Sequence, residues 1–376
     1  MNATRRLGRG TGHGFGSGWI SGMLGVMCGA LGYGAVLCLL FPDVLTTPTS
    51  RALYPMALIR FLIYTLLVIG FVLGLLSAIL RARKTLGLTA LALTTAATLL
   101  GGSEVEISTE VTGTHTVGLD WLLLNLFVLA LLFVPLERIW PRLREQPILR
   151  FGWSTDLMHF AMSHLLVQVT VVLTMLPAAV FFRWAARPWL QDLVAAQPLP
   201  LQFVEIVIVA DLAEYVVHRA FHRVPLLWRF HAVHHSSRYL DWLAGSRLHL
   251  VDIVVTRGLS FVPLYVLGFS TTAIYAYLVF VSFLAVFIHA NVRFDFRPLD
   301  WVVVTPRFHH WHHAAHPEAV DKNFAVHLPL IDRLFGTAYF PPRRWPEVYG
   351  IAGNPVPEGY WRQLVAPFSR ETRSGT

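Results

Sequence analysis

Apolar residues along this chain come in long unbroken runs rather than alternating stripes, and polar residues gather in the gaps between them. Trp19 to Phe41, Met56 to Leu80, Thr85 to Leu100 and Val117 to Leu136 each hold enough consecutive apolar residues to predict a membrane-spanning helix. Asp156 to Phe182 and Leu201 to Val217 predict a fifth and a sixth span. Leu259 to Ile288 is apolar again, but two crossings need roughly forty residues. A short helical hairpin broken near Gly268 is expected there. From Ala290 onward the chain turns polar, Pro-rich and Trp-rich, and reads as a cytosolic cap and tail.

Composition agrees. The 376 residues are 55% hydrophobic and 14% charged, with mean hydropathy +0.55, whereas a soluble domain carries about a quarter charged residues. The net charge of +8 rests on arginine, Lys84 and Lys322 being the only lysines. The basic segments are the tail at residues 5–9 and the stretches that follow spans at 81–84, 137–150 and 218–223. Counting crossings puts all of them on one side, with the acidic loop Glu104, Glu106 and Glu110 on the other. The expectation is a multi-pass protein of a bacterial inner membrane with its basic side in the cytoplasm. No basic run with interleaved stacking aromatics is present, which excludes nucleic acid as a partner. Cys28 and Cys38 lie about 15 Å apart on one helix, too far to bridge.

Within this frame the expected organisation is a flexible tail over 1–18, a four-span region over 19–150, a catalytic region over 151–340 and a tail over 341–376. Gly18, Gly22, Gly25 and Gly29 give the first span a small-xxx-small edge for close helix packing. Trp184 and Trp189 mark an interfacial segment between the fifth and sixth spans.

The candidate chemistry is histidine. His218 and His222 form an H-x-x-x-H box, and His231, His234 and His235 an H-x-x-H-H box. His309, His312 and His313 repeat the latter. Positions i, i+3 and i+4 share a helix face, so each box is expected to aim its imidazoles at one point. Neutral imidazole ligates divalent iron, copper, nickel and zinc. So many donors exceed the needs of one ion and point to a two-metal centre. Asp211, Glu214, His218 and His222 follow one another at helical spacing. The two carboxylates are expected to accept the second ring N–H of ligand histidines. His289 ends the apolar hairpin beside the boxes and joins the ligands. His249 is either a further ligand or a partner of Asp252. His310 projects from the opposite face, and His115, His159, His164, His316 and His327 are assigned no metal.

At residues His218-R-A-F-His222, His231-A-V-His234-His235 and His309-H-W-His312-His313 the chain resembles the fatty acid hydroxylase/sterol desaturase superfamily. Arg247-L-His249-L-V-Asp252, F-I-His289-A-Asn291, Asn323-F and Asp332-R-L-F-G-Thr337 support the resemblance, which covers roughly 150–368. It implies an all-α, multi-pass membrane bundle with a cytosolic helical cap carrying the dimetal site. It also implies two iron ions, replaceable by zinc in isolated protein, that use O2 to hydroxylate or desaturate a membrane lipid. The implied ligands are His218, His222, His231, His234, His235, His289, His309, His312 and His313, with Asn291 in support. Some members place a further histidine where this chain has Ala285. With no G-x-G-x-x-G after a strand, no haem motif and no cluster cysteines, electrons are expected from a reductase, ferredoxin or cytochrome b5-like partner. The competing expectation is a membrane metal-ion transporter, whose ligands would lie along a path near the bilayer midplane.

Overall fold

The computed structural model describes residues 16–47, 55–106, 116–294 and 298–369; Glu110 and His115, like most of the N-terminal tail, fall outside them. Two compact units divide the chain, Met1–Val128 and Leu129–Thr376. Among the described residues the secondary structure is helical, apart from two isolated bridges.

The first unit is built on α1 (Trp19–Leu40), α2 (Met56–Leu80) and α3 (Thr85–Leu99), followed by the start of α4 (Leu119–Ile139). Small residues let the first three approach closely. A Cβ on Gly25 would stand 3.0 Å from the Gly74 nitrogen, and one on Gly87 would lie 2.6 Å from the Ala78 nitrogen. The glycine edge of the first span therefore packs within the chain.

The second unit continues with α5 (Trp153–Leu165), α6 (Val167–Phe181), α7 (Pro188–Ala195) and α8 (Leu199–Arg223). The expected fifth span is not one helix, because its two halves bend by 58°. Ser163 Oγ and His164 Nδ1 both donate to the Phe160 carbonyl, at 2.9 and 2.7 Å, and such side-chain bonds compete with the helical ladder. α8 is inverted relative to a soluble helix. Val204, Ile208, Leu212 and Val216 are exposed along one stripe, while Ile206, Ala210, Asp211 and His218 are buried. An apolar outer face and a polar inner line are what a lipid-facing helix carrying a buried site requires.

Beyond α9 (Pro225–His235), the hairpin consists of α10 (Leu250–Leu267) and α11 (Thr271–Phe287). It turns at Gly268, whose φ of 72° is left-handed, and the Ser270 hydroxyl caps α11. The first arm begins at Leu250, nine residues before the expected start, because the His249 ring accepts from the Val251 N–H and caps the helix. The hairpin is thus deeper than its apolar count predicted. Leu264, Ala273 and Tyr277 pack against Ile206, Val207 and Ala210 of α8. Three short helices, α12 (Pro306–His312), α13 (Pro329–Leu334) and α14 (Tyr360–Val365), complete the polar end. Among the described residues five helices are long and apolar enough to cross a membrane, or six if α5 and α6 form one span. This is an integral membrane architecture.

Candidate metal centre

Three helix ends converge at the polar side of the hairpin: the last turn of α8, the last turn of α9, and α12. α9 and α12 each open on a proline, which needs no N–H partner at that position. Their histidines, with His289 from the end of α11, form two groups. His218, His222, His231, His235 and His312 make the first, and His234, His289, His309 and His313 the second. Within each group one ligand atom per residue lies within 4.8 Å of every other. The structure therefore brings together nine of the ten histidines expected as ligands.

The expectation that each box aims at one point is corrected. Every H-x-x-H-H box is split. The i, i+4 pair His231 and His235 serves the first group and His234 the second; the pair His309 and His313 serves the second group and His312 the first. Neighbouring positions on a helix are turned by about 100°, so adjacent histidines straddle the two groups. The His234 and His235 rings stand at 88° and those of His312 and His313 at 82°.

The imidazoles are held from outside. Nδ1 donates to a main-chain carbonyl in His218 (Phe324, 2.7 Å), His234 (Arg247, 3.1 Å), His289 (Ala285, 2.7 Å) and His312 (Lys322, 2.8 Å). In His231 it donates to Asp252 Oδ2 at 2.7 Å. A carbonyl can only accept, so the proton is fixed on Nδ1 and the Nε2 lone pair points inward. His218 Nε2 then stands 3.1 Å from His231 Nε2, and His234 Nε2 3.3 Å from His289 Nε2. These are lone pairs facing lone pairs, an arrangement that a shared cation makes favourable. His222, His235 and His312 each carry a buried Nε2 with no hydrogen-bond partner among the described residues. Burial, reinforced by the neighbouring imidazoles, holds His234, His235, His309, His312 and His313 well below the ordinary imidazole range. The donor set is neutral, inward-pointing and all nitrogen, and it fits two transition-metal ions.

Four expected site residues lie outside the two groups. His249 lies outside both groups. Its Nδ1 accepts from Val251 and its Nε2 donates to the Leu364 carbonyl at 3.0 Å, so neither nitrogen is left for a metal. Asp211 reaches no clustered histidine. It accepts from the N–H groups of Val326, His327 and Leu328 and from His327 Nδ1 at 2.9 Å. Burial disfavours the charged His327 ring, but the Asp211 carboxylate outweighs it and raises its pKa. Glu214 makes no hydrogen bond to a clustered histidine among the described residues. Asn291 clamps the chain next to His289 by exchanging bonds with Leu143 at 2.8 and 3.1 Å. His310 takes no place in either group. Its Nδ1 meets the Tyr349 hydroxyl at 2.8 Å, and burial pushes its pKa down to about 3.

Other supports were not legible. Asp252 holds His231. Asp321 Oδ1 lies 3.5 Å from His222 Nδ1. Arg150 bridges Asp156 and Asp241 at 2.6 and 2.7 Å, and Arg247 pairs with Asp156. That buried network fixes the loop whose Arg247 carbonyl receives His234. Asp332 accepts from the Phe324 and Ala325 N–H groups and from Thr337, fixing the carbonyl that receives His218. This gives a physical reason for the Asn323-F and Asp332…Thr337 signatures.

Comparison with known proteins places this region. Residues 203–337 match the family described as fatty acid hydroxylase. The chain is 35% identical to the ornithine lipid hydroxylase OlsE of Rhizobium tropici over 176 residues, 47% of this chain and 53% of that protein. It is 32% identical to the alkylglycerol monooxygenases of Danio rerio over 141 residues and of Homo sapiens over 142. Each of those matches covers 38% of this chain and 31% of the relative. The chain thus spans about half the length of the first relative and about a third of the other two. No solved structure matches it.

Proposed function

We propose, from the premise that residues 203–337 match the fatty acid hydroxylase family, that this chain is an O2-dependent oxidoreductase acting on a C–H bond of a membrane lipid. The observation that carries the reading is the pair of imidazole groups, five and four nitrogens strong, in which all ligand atoms of a group lie within 4.8 Å of one another. Nine donors for two ions leave open positions if each ion is octahedral. The names of the relatives, a lipid hydroxylase and alkylglycerol monooxygenases, support a lipid substrate. Two iron ions, when bound, would supply O2 activation. Zinc could occupy the same nitrogens in isolated protein.

The chain's own residues do the rest. The nine histidines hold the ions. The outward bonds from Nδ1 of His218, His231, His234, His289 and His312 keep those five rings in one tautomer and orientation. The apolar helices exclude water from the reacting carbon and hold the lipid chain. Electrons come from a separate reductase, ferredoxin or cytochrome b5-like protein. The site faces the cytoplasm of a bacterial inner membrane, with residues 19–150 as an added membrane region and 151–340 as the catalytic one. The transporter alternative needs donors strung along a path, whereas these imidazoles face two points. Lipid mass spectrometry of cells with and without the gene tests the reading. Hydroxylation adds one oxygen to a lipid and desaturation removes two hydrogens. A lipidome unchanged under air, with the protein present and metal-loaded, would refute it.

A further inference from the structure

Beneath the histidines the bundle interior is not apolar. Arg257 occupies the middle of α10, a helix apolar and long enough to cross a membrane. It belongs to the face that carries Ile253, Phe261 and Leu264. Ile253 and Leu264 are buried, and Phe261 packs against the core shared with α8 and α11; positions i, i+4, i+8 and i+11 share one side of a helix. The electrostatic neighbours of its guanidinium lie on three other helices: Glu214 of α8, Tyr277 of α11 and His164 of α5. The side chain is nevertheless exposed, and among the described residues it has no carboxylate within ion-pair distance. Exposure at an inward position means that it borders space inside the bundle.

Three further polar groups line the same region without a partner. Glu214 makes no hydrogen bond or ion pair among the described residues, although it stands on the inner line of α8. Ser260 Oγ, one turn beyond Arg257, is buried and unpartnered. His327 is fully buried; its Nδ1 is engaged by Asp211 while its Nε2 has no partner. Unpaired polar groups in a membrane interior are costly and mark function. Glu214 precedes His218 by one helical turn, about 6 Å, and Arg257 follows Asp252 by roughly 7 Å along α10. Along their helices both therefore lie one to two turns deeper than His218 and than Asp252, the partner of His231.

We infer that Arg257 and Glu214 form the head-group subsite of a zwitterionic lipid. Arg257 takes its acid group, and Glu214 takes its ammonium. The guanidinium offers forked donors to a carboxylate or phosphate, and the carboxylate of Glu214 offers acceptors to an ammonium. Ser260 and His327 supply the remaining polar contacts. Such a head group would rest within one or two helical turns of the metal site. The oxidised carbon then belongs to the head group or the first carbons of the chain, and distal acyl carbons are out of reach. This rests on the lipid-oxidation reading for its chemistry, but the binding claim stands by itself.

The test measures binding to metal-loaded, detergent-solubilised protein, kept anaerobic, by native mass spectrometry. Four probes are used: an N-acylated amino-acid lipid with one free carboxylate and one ammonium, the same lipid acetylated at the amine, phosphatidylethanolamine, and a neutral monoalkylglycerol. Wild type is expected to hold a zwitterion at least tenfold tighter than the neutral lipid. A preference between the amino-acid lipid and phosphatidylethanolamine identifies carboxylate or phosphate as the acid group. Acetylating the amine should weaken binding about tenfold in wild type and leave it unchanged in Glu214→Gln. Arg257→Gln should weaken every charged lipid about tenfold and spare the neutral one. If wild type binds the neutral lipid as well as the zwitterions, or Arg257→Gln keeps the wild-type ranking, the subsite is overturned. Should Arg257→Gln fail to insert, the wild-type ranking and Glu214→Gln decide. Correct ranking with no lipid oxidised in any assay would overturn only the enzymatic reading.

Discussion

His231 Nδ1 lies 2.7 Å from Asp252 Oδ2, and both side chains are almost wholly buried. Among the nine clustered histidines this is the closest carboxylate contact, and Thr256 fixes the second oxygen of Asp252 at 3.1 Å. A carboxylate behind a ligand imidazole sets its tautomer and raises its basicity, and its loss typically costs ten- to a hundredfold in metal affinity. Asp252→Asn is therefore expected to weaken metal retention in a chelator competition by about that factor. Asp211→Asn should act differently, because Asp211 binds three main-chain N–H groups and His327 rather than a clustered ring. It should lower the unfolding temperature with little change in metal affinity. Equal weakening of metal binding by both variants, at unchanged unfolding temperature, would return Asp211 to the role its spacing suggested.

Gly245 supports the second group in a way no motif announces. A Cβ there would stand 2.8 Å from His289 Nδ1 and 3.1 Å from the Ala285 carbonyl that receives that ring's N–H. The His289 ring cannot yield without giving up its orientation. Gly245→Ala should leave the protein folded and inserted while releasing about one metal per chain, since the four-donor group has no spare nitrogen. Full retention of both ions would show that the ring has room to move.

The proposed sidedness rests on the charge pattern and is open to direct measurement. In a background with Cys28 and Cys38 replaced, single cysteines at Arg83, Arg144 and Arg238, all exposed, should react with a membrane-impermeant maleimide only from the cytoplasm. One at Glu106, also exposed, should react only from outside. Opposite labelling at Arg144 and Arg238 would dismantle the orientation proposed for the site.

How far the sequence carried depends on the kind of constraint. Long apolar runs gave the helices, since a membrane span is set by length and composition. The nine histidines were legible because helical spacing brings them to one end of each element. The break at Leu166 was not, because no proline or glycine marks it. The start of α10 was missed because Asp252 and Arg257 interrupt the apolar count, although both face inward. Partners of the ligands were misassigned for a related reason. Asp211 shares a helix face with His218, but ring support comes across the fold, from Asp252 of α10 and from carbonyls in loops. Spacing within one helix cannot report contacts between elements.

The split of the boxes gives the sharpest test. If each box served one ion, His309→Ala/His313→Ala and His309→Ala/His312→Ala would be equivalent, each removing two donors from one point. The observed grouping separates them. The first double variant strips two of four nitrogens from the second group and leaves the five of the first intact. It should bind about one metal per chain with wild-type resistance to chelator. The second removes one nitrogen from each group, so both ions should become labile. His310→Ala serves as the neighbour control: it loses the Tyr349 contact and should cost roughly 1–3 kcal/mol of stability while keeping both ions. Metal analysis after anaerobic reconstitution, followed by timed chelator challenge, reads all three. Identical metal loss from the two double variants, with membrane insertion intact, would mean that the boxes are not interleaved and that adjacent histidines in each box turn toward a common ion.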